Sequence, residues 1–190
     1  MKFKLIKMAC LWVAMLGLPV VGSSQEEAPI ESHPGYLNID SVLQGSERYL
    51  TSEVYLRNYI LRMIARVTKK SEPDFAKMLA AIKLIRVVEF EFDAEGINST
   101  LEKAESLVNH LQKSRWDTLV RSKQSDKTLQ ICIQSDREDH IYALAIVSWD
   151  SYKMTIVNVV GDIDLDMLSR LGSQFGIDEL EDLEESEHDE

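Results

Sequence analysis

The sequence predicts an α+β domain: a mixed or antiparallel sheet of about six strands, ending in a four-stranded meander and packed with three to four helices. Three observations carry this expectation. In the first half, apolar residues recur with helical and strand periods in alternation. From Trp116 onward only short strand-like runs remain, separated by breaks too short for anything but hairpins. The 190 residues, 45% hydrophobic and 28% charged, suit one ordinary globular domain.

The elements follow in order. Residues 1–23 read as a secretory signal peptide. Lys2, Lys4 and Lys7 form a basic start, Met8 to Val21 is apolar, and Val21 and Ser23 suit cleavage after Ser23. The apolar run is shorter than the roughly 20 residues of a membrane span, so cleavage is expected rather than anchoring. Residues 24–34 are a polar leader. Residues 35–177 are expected to form the single domain, and 178–190 an acidic disordered tail.

Within the domain, Tyr36, Leu37, Ile39 and Val42 suggest one helical turn. Thr51 to Leu56 reads as a strand, running into a helix with Ile60, Leu61, Ile64 and Val67 as its inward stripe. Ser71 and Asp74 suggest a cap and Pro73 a first turn. Phe75, Met78, Leu79 and Ile82 then mark a second helical face. Ile85 to Phe92 alternates as a half-buried strand. Ser99 to Glu102 resembles a capping box, opening a helix that buries Leu101, Ala104, Leu107, Val108 and Leu111. Four strands follow: Trp116–Ser122, Thr128–Gln134, His140–Trp149 and Met154–Val160. A last helix is expected over Asp164–Leu171, stopped by Gly172.

In the last two strands both faces are apolar. Tyr142, Leu144 and Ile146 oppose Ile141, Ala143, Ala145, Val147 and Trp149. These strands should therefore be central. The expected cover for the second face is a helix or the Tyr36–Val42 segment. The competing reading is an interface with Trp149 at its rim, for a partner or a second copy.

The net charge is −11. It argues against nucleic acid and against anionic membranes as partners, since both would repel the chain. The Asp178–Glu190 stretch holds nine carboxylates and no Lys or Arg. Of the two cysteines, Cys10 lies in the leader, so Cys132 alone remains and no internal disulfide can form. No second long apolar run is present, and no transmembrane span is expected once the signal is removed.

Several stretches together resemble the bacterial family catalogued as domain of unknown function 4252. They are Gly35-Tyr36-Leu37-Asn38-Ile39, Ile85-Arg86-Val87, Trp116 after the Leu107–Leu111 helix, and Ile156-Val157-Asn158-Val159-Val160-Gly161-Asp162-Ile163-Asp164. The resemblance covers about Gly35 to Leu171. It implies an exported, envelope-associated protein and supplies no activity or catalytic residue to carry over. Many relatives are lipoproteins. This chain has no lipobox at the end of its leader, so no lipid anchor is expected.

Candidate chemistry is sparse. Asp162, Asp164 and Asp166 open like a calcium loop, but Met167 and Ser173 stand where Gly and Glu would be needed. They read better as a turn and helix start. Cys132 could be a nucleophile served by His110 or His140, but no local motif supports that, and a packed thiol is favoured. There is no zinc motif, phosphate loop or nucleophile elbow. Asn98-Ser99-Thr100 is a formal glycosylation sequon that reads as a helix start. The tail could gather cations loosely, though a solvated end explains it as well. No catalytic, cofactor-binding or metal-ligating residue is assigned, and no cofactor is expected. The expected function is a non-enzymatic binding or assembly module, periplasmic or secreted, whose partner is another envelope protein or itself. The alternative is a hydrolase whose site is scattered in sequence.

Overall fold

The structure is a computed structural model, and it describes residues 28–93, 96–124, 126–137 and 140–163. The segments expected to form a signal peptide, a helix over Asp164–Leu171 and an acidic tail lie outside the described residues. A short 3₁₀ turn, Ile30–Ser32, leads to helix α1 (Ile39–Leu43), capped by Asn38, whose side chain accepts from the Ser41 N–H. A second 3₁₀ turn, Glu47–Tyr49, runs into strand β1 (Leu50–Arg57). Then come α2 (Asn58–Thr68), α3 (Pro73–Ala81), β2 (Ile82–Glu91) and α4 (Ile97–Lys113). The meander is β3 (Asp117–Lys123), β4 (Thr128–Arg137), β5 (His140–Trp149) and β6 (Lys153–Ile163).

All strand pairs are antiparallel, and the sheet order is β1-β2-β6-β5-β4-β3. The last strand therefore lands in the middle, between β2 and β5. This explains why β5 and β6 are apolar on both faces: each face is covered. On one side, Leu61 and Ala65 of α2 and Ala76, Met78 and Leu79 of α3 join a core with Ile85, Leu144, Ile146, Val157 and Val159. On the other, Ala104, Leu107, Val108 and Leu111 of α4 pack with Leu37, Ile39, Val88, Phe90, Ala143, Ala145, Val147 and Ile156. The cover expected from a helix and from the Tyr36–Val42 region is thus internal, and Trp149 packs half-buried at the rim of the α4-side core.

The segment before α1 is tied to the sheet by one side chain. Asn158, fully buried, accepts from the Leu37 N–H at 3.0 Å and donates to the carbonyls of Gly35 (3.1 Å) and Leu144 (3.3 Å). Gly35 lies so close to the sheet that a Cβ there would land on Ala143. Arg86 makes the second tie. Only 6% exposed, it donates to both Asp40 carboxylate oxygens (2.6 and 3.0 Å) and to Glu53 (3.1 Å). Those hydrogen bonds hold Asp40 below the usual carboxylate range, and they raise Arg86 above its ordinary value. The Gly35–Ile39 and Ile156–Asn158 stretches singled out in the sequence meet here.

Four sequence expectations are corrected. In α2 the buried residues are Leu61 and Ala65, whereas Ile60 and Val67 face outward. The helix seats its 61/65 edge on the sheet, and the apolar residues on its outer side belong to the surface. The α3 helix begins at Pro73 with no side-chain cap, and the Ser71 hydroxyl donates back to the Thr68 carbonyl instead. The α4 helix begins at Ile97, so Ser99 lies inside its first turn. Gly96 holds the N-cap position that the expected capping box gave to Ser99, and Asp93 accepts from the Gly96 N–H at that end. Finally, β2 starts at Ile82, which the sequence had placed on the preceding helix.

Candidate basic groove

A concavity of about 760 Å³ lies between α2 and the Pro29–Pro34 segment. Its floor and walls include Pro29, Ile30, Pro34, Tyr59 and Met63, and its polar groups are Arg57, Arg62, Arg66, Lys83 and His33. Among the described residues, none lining it is Asp or Glu. In a chain of net charge −11, that concentration of cations is a local inversion of sign.

Local chain geometry gathers these side chains. Strand β1 passes directly into α2, with Arg57 extended at the junction and serving as the N-cap position. Arg62 and Arg66 are one helical turn apart and share a side of α2. Lys83 reaches the groove through a β-bulge. The register of β2 against β6 shifts between Ile82 and Leu84, where Ile82 pairs with Gly161 and Leu84 with Val160. The extra residue breaks the alternation, so that Ile82 and Ile85, three apart, enter the same core, and Lys83 stays exposed. Gly161 permits this close passage: a Cβ there would come within 2.6 Å of the Ala81 carbonyl oxygen.

The opposite wall is held by short-range bonds. The Ser32 hydroxyl donates to the Pro29 carbonyl at 2.7 Å, and the Gly35 N–H donates to His33 Nδ1 at 3.1 Å. The His33 ring meets Tyr142 edge-on at 5.9 Å. Burial, and secondarily the charge of Lys83, lower the His33 pKa below its usual value. An acceptor Nδ1 and a depressed pKa both favour the neutral ring. The fixed positive charge therefore comes from the three arginines and Lys83. Chemically the groove can take an anionic group against the guanidinium forks and an apolar group against Tyr59 and Met63.

The residues weighed in the sequence fall elsewhere. Cys132 is 0% exposed in the α4-side core, with Gln130 Nε2 3.4 Å and Thr118 Oγ1 4.0 Å from its sulfur. His110 meets Ser114, and His140 lies between Asp136 (2.5 Å) and Asp162 (3.4 Å). The sequon sits in the first turns of α4. Asp162 is exposed on β6 between buried Gly161 and Ile163, while Asp164 and Asp166 lie outside the described residues. The basic groove itself went unnoticed in the sequence. Its signal was present: from Val54 to Ser71 there are five cations and no carboxylate.

No curated protein and no solved structure matches the chain. The match to a family model begins at Ser46 and includes Trp116 and the Ile156–Asp164 stretch, whereas Gly35–Ile39 precedes it. That model, described as domain of unknown function (DUF4252), covers residues 46–171, and the chain belongs to this family.

Proposed function

We propose that the protein is an exported, non-enzymatic binding or assembly module of the cell envelope, and that the α2 side of the molecule is its contact surface. The supporting observation is the groove in which Arg57, Arg62, Arg66 and Lys83 converge beside exposed apolar side chains. Folding does not require such a cluster. Arg57, Arg66 and Lys83, brought to one concavity, offer an anionic group several charge-assisted hydrogen bonds. The basic n-region and apolar run at the start of the chain support export. Chemical crosslinking and pull-down from the periplasmic fraction tests the reading. The wild-type chain should retain an envelope component that the Arg57→Glu/Lys83→Glu variant loses while still folded. Recovery of the protein in the cytosol alone, or identical capture by both chains, would count against it.

A further inference from the structure

We infer that the outer crest of α2 docks on an anionic lipid bilayer, an inference that rests on the envelope-contact reading above. Seven of the eight large apolar side chains exposed among the described residues lie in β1 and α2. Three of these, Tyr59, Met63 and Val67, follow one another at intervals of four and so stand in one line along the helix. Tyr59 is 72% and Val67 82% exposed. They sit on the side of α2 away from Leu61 and Ala65, which are buried.

Cations border this line on its groove side and at both ends. Arg62 and Arg66 run along that one side, Arg57 stands at its start, Lys69 and Lys70 at its end, and Lys83 across the groove. An apolar line bordered by arginine and lysine is the pattern of a helix lying in the plane of a membrane surface. Tyrosine suits the headgroup level, and guanidinium groups suit phosphate oxygens.

Charge and exposure together favour a bilayer as the occupant. The phosphate oxygens of an anionic leaflet match the guanidinium groups beside the line, and Tyr59 and Val67 are the most exposed of the large apolar side chains described. A bilayer supplies a deformable apolar phase that such a crest can enter. The negative charge of the chain as a whole does not forbid this. At physiological ionic strength the screening length is about 8 Å, so the cations nearest the lipid dominate. The bias expected from net charge alone, against anionic membranes, is thus reversed locally.

The test uses the chain as secreted, beginning near Ser24, so that the Met8–Val21 run cannot drive binding. It is centrifuged with vesicles of phosphatidylcholine, with and without phosphatidylglycerol. Binding to the anionic vesicles only is expected, weakening by about tenfold or more in high salt. Arg66→Glu/Lys69→Glu should weaken binding by about tenfold or more. Tyr59→Ser/Val67→Ser should weaken it several-fold, and Lys123→Glu, on the opposite edge strand, should leave it unchanged. Melting curves identify variants that fail to fold, and Arg66→Gln then replaces the reversal.

Absence of wild-type binding to the anionic vesicles would overturn the inference. Equal binding by the α2 variants, or equal loss with Lys123→Glu, would do the same. If the vesicles fail but a protein is captured through Arg57 and Lys83, the lipid inference falls and the envelope-contact reading stands.

Discussion

Asn158 shows how much one buried side chain can organise. It satisfies three backbone groups on two segments that are far apart in sequence, and its own two donors and one acceptor are used. Asn158→Leu would strand the Leu37 N–H in the core. An unsatisfied buried donor costs about 1–3 kcal/mol, so the urea midpoint should fall by a corresponding amount. The polar residue at this point of an apolar strand was visible in the sequence, but its partners were not, because local periodicity contains no long-range pairing. His33 gives a second prediction. Its folded pKa lies below the unfolded value of 6.5. Below that pH the unfolded chain binds the proton more readily, so the neutral ring's contribution is complete above about pH 6.5 and is lost as pH falls from there. Thermal melts from pH 7.5 down to 5.5 should show a decline that His33→Gln flattens. A variant as pH-sensitive as the parent would assign the decline to other groups.

At the scale of elements, alternation was informative where one face of a segment is apolar and misleading where both are. Val88, Phe90 and Phe92 were read correctly as buried, with Glu91 exposed between them. The α2 sequence carries apolar residues almost all round, so period alone could not choose between the Ile60/Val67 side and the Leu61/Ala65 side. Tertiary packing chose the second. The two readings differ measurably. Leu61→Ala should cost about 2–5 kcal/mol, the range for emptying a buried leucine site, whereas Val67→Ala should stay within about 0.5 kcal/mol. Comparable losses at both positions would mean that the outer crest is buried in solution. The bulge at Lys83 could not be read at all, since it exists only in the pairing of β2 with β6. For the same reason the groove was half legible: its three arginines fall in one stretch without carboxylates, but the Pro29–Pro34 wall and Lys83 come from elsewhere.

At the scale of the molecule, charge is segregated. Residues 1–23 contain three lysines and no acid, so the chain after them carries −14, nine units of which lie in Asp178–Glu190. Removing that stretch leaves −5 without touching the groove, and it should strengthen association with phosphatidylglycerol vesicles, most clearly at low salt where screening is weak. Weaker association would assign the tail a positive part in docking, and unchanged association would mean that its charge does not act at the lipid surface. The sheet order has a consequence for how the chain comes to be folded. The strand made last occupies the middle, so β1 and β2 stay separated from β3, β4 and β5 until Lys153–Ile163 arrives. Until then a nascent or threading chain could form only two incomplete half-sheets, each with a bare edge and neither stable alone. Closure waits for contacts more than a hundred residues apart, such as that between Leu37 and Asn158. Such distant pairings slow folding. The protein should therefore remain unfolded, and able to pass through a narrow channel, for nearly the whole of its synthesis. A chain ending at Ser151 should show no cooperative melting transition, because its strands lack the one that joins them.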